Sequence, residues 1–256
     1  MFWAWLGALV IGLSLGLLGS GGSILTVPVL IYLVDQPEKV AIAESLGIVA
    51  SISLFGAIPY AWRKEIDWKS VLWFGVPGMV GTYYGATLSQ FLSGNSQLII
   101  FAIVMLLAAF LMVKDNPRLK KEKGYSAPRY ILILEGAIVG IVTGLVGVGG
   151  GFLIIPALVL FGGLKMRIAV GTSLTIIAAK SFIGFYKYLD VLRVEKLNID
   201  WELLAIFTAI GIIGSMVGGR LSKKVPQKSL KKGFGVFLIG MGAFILWSNL
   251  SKTFMV

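Results

Sequence analysis

The chain has 256 residues, of which 57% are hydrophobic and 14% are charged, and its formal net charge is +11. Long apolar runs follow one another with the charges confined to the gaps, which indicates an integral membrane protein and excludes an ordinary soluble domain. The basic residues lie in short loops, so we expect no nucleic-acid binding. The lack of cysteine and histidine excludes disulfides, thiol catalysis and the commonest metal ligands, and we expect no metal or other cofactor.

Eight apolar segments are predicted along the chain. Most are close to the ~20 residues that cross a bilayer, and they cover 2–34, 40–62, 69–91, 96–113, 129–163, 168–188, 202–221 and 232–250. The first and fifth are too long for one crossing, because a helix of their length would reach about 50 Å against a hydrocarbon core of about 30 Å. Each is therefore predicted to be a helix, a break and a shorter second helix.

A glycine cluster lies in the middle of each long segment. GLLGSGGS at 16–23 recurs as GLVGVGGG at 144–151, and Pro28 and Pro156 follow at the same offset. Glycines let backbone N–H groups approach a ligand, and a helix that starts after a break points its positive end back at it, which suits an anion. The alternative is a tight turn with close packing and no ligand. The predicted anion-binding residues of the breaks are Gly19, Ser20, Gly21, Gly22, Ser23, Gly147, Gly149, Gly150 and Gly151.

Loop charge predicts the orientation of the spans. The segments 114–129 and 220–232 are rich in lysine and arginine and are expected in the cytoplasm, which requires the hairpin at 129–163 to turn back. Each half then contributes one re-entrant hairpin and three transmembrane helices. Because three is an odd number of crossings, the second half enters the membrane from the opposite side and the two halves have inverted topology. The predicted fold is an all-α integral membrane protein with two inverted-topology repeats and both termini extracytoplasmic. Its parts are a first repeat at 1–113, a cytoplasmic basic linker at 114–128 and a second repeat at 129–256.

The duplication extends beyond the glycine clusters. Residues 16–30 match 144–158 at eight of fifteen positions, and Ile66-Asp67-Trp68 recurs as Ile199-Asp200-Trp201. Each Asp-Trp pair is predicted to be a helix N-cap followed by an interfacial tryptophan. Glycines also recur at matching positions of one span in each half, with the spacing typical of close helix packing: Gly78, Gly81 and Gly85, and Gly211, Gly214 and Gly218.

The spans that follow the hairpins carry polar side chains at membrane depth. Lys180 lies about twelve residues into its span, or about 18 Å, which is near the middle of a bilayer. An intramembrane lysine usually faces an aqueous cavity or a partner, so Lys180 is predicted to bind the anionic substrate. Pairing with Glu44 or Glu135, or snorkelling to an interface, are the alternatives. The hydroxyls predicted to complete the substrate site are Ser45, Thr172 and Ser173.

Two membrane-embedded acids are candidates for proton coupling. Glu44 lies about four residues inside the outer end of its span and Glu135 about six inside the inner end of its own. A buried carboxylate can carry a proton, so we expect a proton in preference to sodium if transport is coupled. Either acid equally fits an interface residue. Tyr60 and Tyr188 lie near span ends and are interpreted as members of an aromatic belt.

The paired motifs resemble those of the sulfite exporter TauE/SafE family of membrane permeases. The resemblance rests on G-L-L-G-S-G-G-S-x4-P at 16–28 and G-L-V-G-V-G-G-G-x4-P at 144–156, with A-x-x-x-S-L-x-I at 41–48 and 169–176. It implies a permease for small sulfur-containing or organic anions such as sulfite, sulfonates or sulfoacetate. Such proteins lie in the cytoplasmic membrane of prokaryotes and are usually described as exporters.

The sequence therefore predicts a multi-pass transporter that exposes a small anion, bound at the paired broken helices, alternately to the two sides of the bilayer. A gated anion channel, or an uptake permease for a related oxyanion or carboxylate, fits the same residues. A third interpretation is a non-transporting assembly or insertase partner. No nucleophile with an adjacent base can be built without histidine or cysteine, so we expect no enzymatic activity. The expected partners are the small anion, a coupling ion and the lipid bilayer.

Overall fold

The computed structural model describes residues 2–20, 22–113, 129–160, 162–221, 236 and 239–248. These residues form helices joined by short connections, and no strand occurs among them. The predicted cytoplasmic linker 114–128, the basic segment 222–235 and Gly21 lie outside the described residues. The predicted all-α architecture is confirmed.

The order of the helices follows the predicted segments. The first half contains α1 (Phe2–Leu18), α2 (Gly22–Tyr32), α3 (Glu38–Trp62), α4 (Trp68–Ser70), α5 (Val76–Leu88) and α6 (Gly94–Val113). A π-helical turn (Val71–Gly75) joins α4 to α5, and a 3-10 turn (Ser89–Phe91) follows α5. The second half contains α7 (Arg129–Val146), α8 (Gly151–Leu160), α9 (Met166–Glu195), α10 (Trp201–Leu221) and α11 (Ile239–Ser248).

Both long apolar segments are broken at their glycine clusters, as predicted. The chain leaves α1 and α7 through left-handed backbone at Gly19 (φ 68°) and Gly147 (φ 70°). This conformation is strained for residues with a side chain, so glycine is required there. The N–H groups of Gly19 and Gly147 still donate to carbonyls four residues back, Leu15 at 2.7 Å and Thr143 at 2.9 Å, which is a common way for a helix to end at a glycine.

Three helices among the described residues are long and apolar enough to cross a membrane. They are α3, α10 and the segment Arg167–Glu195 of α9. The helices α3 and α9 are mostly buried within the protein, whereas α10 is mostly exposed. This length, composition and burial are those of an integral membrane protein with α3 and α9 at its centre.

One boundary differs from the sequence prediction. The predicted apolar segment ends at residue 188 and the next begins at residue 202, but α9 continues to Glu195. The side chains of these extra turns pair with one another and with α3. Lys39 forms an ion pair with Glu195, and Asp190 pairs along the helix with Lys187 and Arg193. The mixed charges therefore lie mostly on a helix surface, where pairs three residues apart are neighbours.

The recurring glycines lie where helices of opposite halves touch. Gly214 and Gly218 contact the backbone of α1, and Gly81 and Gly85 contact the backbone of α7. The contacts repeat at matching positions, since Gly12 of α1 meets Gly211 and Gly140 of α7 meets Gly78. Residue numbers rise together along both helices of each contacting pair, so α1 runs parallel to α10 and α5 runs parallel to α7. The prediction of close helix packing is confirmed, and each broken helix packs against a span of the other half.

The two central helices run in opposite directions. Gly47 of α3 faces Phe185 of α9, whereas Gly56 of α3 faces Leu174. The residue number therefore falls along α9 as it rises along α3, which makes the pair antiparallel. This pair brings the polar positions of the two spans into the middle of the molecule.

Both predicted N-caps are present. The Asp67 carboxylate accepts from the Ser70 N–H at 3.0 Å, and the Asp200 carboxylate accepts from the Leu203 N–H at 2.9 Å. Each satisfies one of the free N–H groups at a helix start. Trp68 and Trp201 follow with most of their side chains exposed, as expected of interfacial tryptophans.

Candidate functional site

The two helix breaks lie against each other in the middle of the protein. A Cβ on Gly151, at the start of α8, would lie 2.8 Å from the Cβ of Ser20 in the first break. Ser20 and Ser23 are both buried, and the Ser23 hydroxyl donates to the Ser20 carbonyl at 2.8 Å. The two clusters predicted to bind an anion are therefore neighbours, although they lie about 128 residues apart in the chain.

The breaks are held by serines of the opposite half. The Ser45 hydroxyl of α3 donates to the Gly147 carbonyl at 3.0 Å, and the Ser173 hydroxyl of α9 donates to the Gly19 carbonyl at 3.1 Å. Each hydroxyl also lies within hydrogen-bond distance of a carbonyl of its own helix, Ile42 at 2.8 Å or Val170 at 2.9 Å. These two predicted substrate ligands direct their hydroxyls at the protein backbone, where they fix the position of the breaks.

The glycines of the breaks differ in what surrounds them. The missing side chain of Gly22 points at α1, and that of Gly150 points at Thr143. Gly149 faces the Ser181 hydroxyl, and Gly147 faces Ile42. The first N–H groups of α2 and α8 have no carbonyl within their own helix to bind. The N-terminal ends of these two helices therefore lie where the two breaks meet, and the positive end of a helix dipole favours a negative charge.

Glu44 and Thr172 bind the starts of two spans. They occupy matching positions, and each accepts a backbone N–H at the start of a span of the other half. Glu44 accepts from Asp200 N–H and Thr172 from Asp67 N–H, both at 2.9 Å. Glu44 is fully buried, and its second carboxylate oxygen has no hydrogen-bond partner in the part of the chain that the structure describes.

Lys180 is buried between α5, α7 and α9, with 1% of its surface exposed. Its ammonium donates to the Thr143 hydroxyl oxygen at 2.9 Å, and its aliphatic stem packs beside Gly78. Within the described residues, no ion pair joins it to Glu44 or Glu135. Since Gly150 packs directly on Thr143, a single threonine separates this cation from the second helix break.

The first half has no equivalent of this cation. The residue matching Lys180 is Ile52, which packs on Gly211 as Lys180 packs on Gly78. The residue matching Thr143 is Leu15. The halves therefore share a backbone plan, but among the described residues the position beside the second break carries a lysine and the matching position of the first half carries an isoleucine. Thr143 was not among the predicted site residues, although the repeats differ at this position as they do at Lys180.

Glu135 is separate from both breaks. It lies eight residues before Thr143 on α7, or about 12 Å along the helix. One of its carboxylate oxygens is buried without a hydrogen bond to any described residue.

The interpretation of Tyr188 as an aromatic-belt residue is wrong. Tyr188 is fully buried, and its hydroxyl lies 3.2 Å from the carbonyl oxygens of Gly144 and Leu145 near the end of α7. The side-chain amide of Gln97 donates to the Tyr188 hydroxyl at 2.9 Å and to the Leu145 carbonyl at 2.7 Å. These groups satisfy carbonyls that the helix break leaves free. Tyr60 is also mostly buried.

A cavity of about 290 Å³ lies between α1, α3, α9 and α10. Its lining includes Gly16 and Leu174, which are close in the chain to Gly19 and Ser173. Arg63 and Arg220 lie at its exposed end. Most of the other lining side chains are apolar, and the two arginines place positive charge at the exposed end, which suits the approach of an anion.

The two broken hairpins, held by reciprocal serine contacts, can be compared with known families. Residues 4–245 match the protein family described as "Sulfite exporter TauE/SafE". The chain belongs to the sulfite exporter TauE/SafE family. The resemblance found in the sequence is confirmed, and the chain is a member of a family of membrane transporters.

Similar proteins of this family occur in distant organisms. The chain is 28% identical over 246 residues to a probable membrane transporter protein of Xylella fastidiosa, which covers 94% of this chain and 92% of that protein. It is 28% identical over 269 residues to the probable membrane transporter protein YunE of Bacillus subtilis, covering 94% and 97%. A probable membrane transporter protein of Methanocaldococcus jannaschii is 29% identical over 252 residues, covering 93% and 94%. No solved structure matches the chain.

Proposed function

We propose that the protein carries small sulfur-containing or organic anions, such as sulfite or sulfonates, across the prokaryotic cytoplasmic membrane as an exporter. The observation that carries this proposal is the contact between the two helix breaks, where Ser20 of one lies against Gly151 of the other. Two helix N-termini that meet at one buried contact favour a negative charge there. Lys180 adds a cation next to the second break, and the family to which the chain belongs suggests the class of anion.

The proposed mechanism is alternating access by two inverted repeats with both termini outside. The antiparallel α3 and α9, and the parallel pairs of α1 with α10 and α5 with α7, support an inverted relation of the halves. The anion enters from the basic mouth at Arg63 and Arg220 and binds at the breaks. The halves then rock about the central helices and open the site to the other side.

Thermal unfolding of the purified protein tests the binding step. Sulfite, a sulfonate, thiosulfate and acetate are added separately, with chloride at equal ionic strength as the control. A specific anion at a hundred times its Kd stabilises the folded state by about 2.7 kcal/mol, so we expect a rise of several degrees in Tm for at least one sulfur-containing anion. The same Tm in every anion and in chloride would contradict the proposal.

Counterflow in proteoliposomes then distinguishes a carrier from a gated channel and from a non-transporting assembly partner. A carrier shows faster uptake of labelled sulfite when the anion is also present inside, because the loaded site returns faster than the empty one. A gated channel shows flux without this trans-stimulation. A non-transporting assembly partner shows no flux at all.

Coupling to protons is proposed through Glu44 or Glu135, since each has a buried carboxylate oxygen without a hydrogen bond to the described residues. Glu44→Gln keeps an oxygen that can accept from Asp200 N–H, so the fold should survive. We expect one of Glu44→Gln and Glu135→Gln to remove the dependence of transport on a pH gradient, whereas Glu202→Gln, on the exposed start of α10, should retain it. Full dependence in both variants would exclude these carboxylates as the coupling groups.

A further inference from the structure

Two buried serines at matching positions of the central helices have no role in the site described above. Ser53 lies on α3 and Ser181 lies on α9, and neither has any exposed surface. Neither hydroxyl makes a hydrogen bond to the part of the chain that the structure describes. Each of the two central helices thus carries one serine hydroxyl that makes no hydrogen bond to the described residues.

A free hydroxyl is unusual for a buried helical serine. Serine and threonine in a helix commonly donate to a carbonyl three or four residues back, and Ser45, Ser173 and Thr175 of the same helices do so. A buried hydroxyl without a partner costs folding free energy. A molecule that binds between the two halves next to these serines would satisfy both hydroxyls.

The hydroxyl of Ser181 lies beside the second helix break. It is 2.7 Å from the position that a Cβ on Gly149 would occupy, and the Val49 side chain of α3 bounds the same space at 2.8 Å. Ser53 follows Val49 by one helical turn and so lies on the same face of α3. The residue matching Gly149 in the first half is Gly21, which lies outside the described residues. The assignment of Ser53 therefore rests on its burial, its free hydroxyl and its position next to Val49.

We propose that Ser53 and Ser181 are a matched pair of hydroxyl donors, one from each half, that bind the transported anion at the helix breaks. This assignment rests on the proposed function and specifies its ligand further. Two donors from opposite halves are best satisfied by an anion with several oxygen atoms, such as sulfite or a sulfonate. Ser45 and Ser173 differ from this pair because their hydroxyls are directed at the Gly147 and Gly19 carbonyls.

The assignment is tested with Ser53→Ala, Ser181→Ala and the double variant. Sulfite and methanesulfonate are the probes, and Kd is obtained from the rise in Tm with anion concentration. We expect each single variant to bind sulfite about tenfold more weakly or worse, because a hydrogen bond to a charged group is lost, and the double variant to bind more weakly still. Without anion, each variant should melt at the wild-type temperature or above, because an unpaired buried hydroxyl has been removed.

The matched control is Thr208→Val. Thr208 also has a buried hydroxyl oxygen without a hydrogen bond to the described residues. It lies on α10, one turn before Gly211, and Gly211 contacts α1 two turns before the first break. Thr208 is therefore remote from the breaks. Sulfite affinity should be unchanged in this variant.

The possible outcomes are distinct. If the double variant bound sulfite with wild-type affinity, the assignment of the two serines would be overturned and the proposed function would stand. The same holds if the variants had a lower Tm without anion and an unchanged affinity for sulfite. A wild-type protein that neither sulfite nor methanesulfonate stabilises would overturn the proposed function and the assignment with it.

Discussion

Replacing Lys180 with methionine is expected to abolish anion transport while leaving the protein at least as resistant to heating as the wild type. The ammonium is buried and has a neutral threonine hydroxyl as its hydrogen-bond partner. Removing a buried charge that lacks a counter-charge is neutral or stabilising when an apolar side chain of similar length replaces it. The anion loses its nearest cation, and a loss of about 3 kcal/mol, or roughly a hundredfold in affinity, is typical of a broken buried charge pair.

Sulfite uptake into proteoliposomes and thermal unfolding of the same preparation measure the two effects. Lys187→Met is the matched control, because it makes the same change on the same helix at a lysine that pairs with Asp190 at 3.6 Å. We expect Lys187→Met to retain transport. Lys180→Arg keeps the charge and should retain part of the binding. Wild-type transport by Lys180→Met would show that the lysine has no part in moving the anion.

Alanine at Gly147 is expected to destabilise the protein strongly and to prevent transport. The backbone there is left-handed, with φ 70°, which costs a residue with a side chain about 1–2 kcal/mol. A Cβ would also overlap the Cγ2 methyl of Ile42, and overpacking of this kind costs about 1–3 kcal/mol. The sum is about 2–5 kcal/mol, a large part of the ~5–15 kcal/mol that stabilises a typical protein. Thermal unfolding in detergent measures the loss.

Gly240→Ala provides the control for this substitution. Gly240 lies in α11, and a Cβ there would meet nothing within 4 Å. Alanine favours a helix over glycine by about 1 kcal/mol, so Gly240→Ala should match or exceed wild-type stability. Equal stability of Gly147→Ala and Gly240→Ala would mean that the second break does not require its present backbone conformation.

The sequence predicted the features that depend on local chemistry. A doubled glycine cluster inside an overlong apolar segment led to the two breaks, because no other residue turns through left-handed backbone at so little cost. The Asp-Trp pairs led to the N-caps, since an aspartate at a helix start satisfies a free N–H. The spacing of Gly78, Gly81 and Gly85 led to close helix packing, although not to the identity of the partner helix.

The features that were missed depend on residues distant in the chain. Nothing near Ser45 shows that its hydroxyl reaches Gly147, because the break it binds belongs to the other half. The position of Tyr188 near a span end suggested an interface, whereas the carbonyls freed by the break draw its hydroxyl inward. The hydrogen bond from the Asp200 N–H to Glu44 could not be predicted either, because Asp200 belongs to a span of the other half. The binding of an anion and the roles of the site residues stay predictions.

The exchange of helices between the halves has a consequence for biosynthesis and ancestry. Because α10 covers α1 and α5 covers α7, the N-terminal half leaves the ribosome with one face of α1 bare until nearly the whole polypeptide has been made. Halves produced as separate polypeptides should each be degraded unless the other is made with it. The packing of α10 on α1 recurs as the packing of α5 on α7 at equivalent glycines, so two copies of a half-length chain can form both contacts. A dimer of such chains, later fused by gene duplication, is a direct route to the present protein.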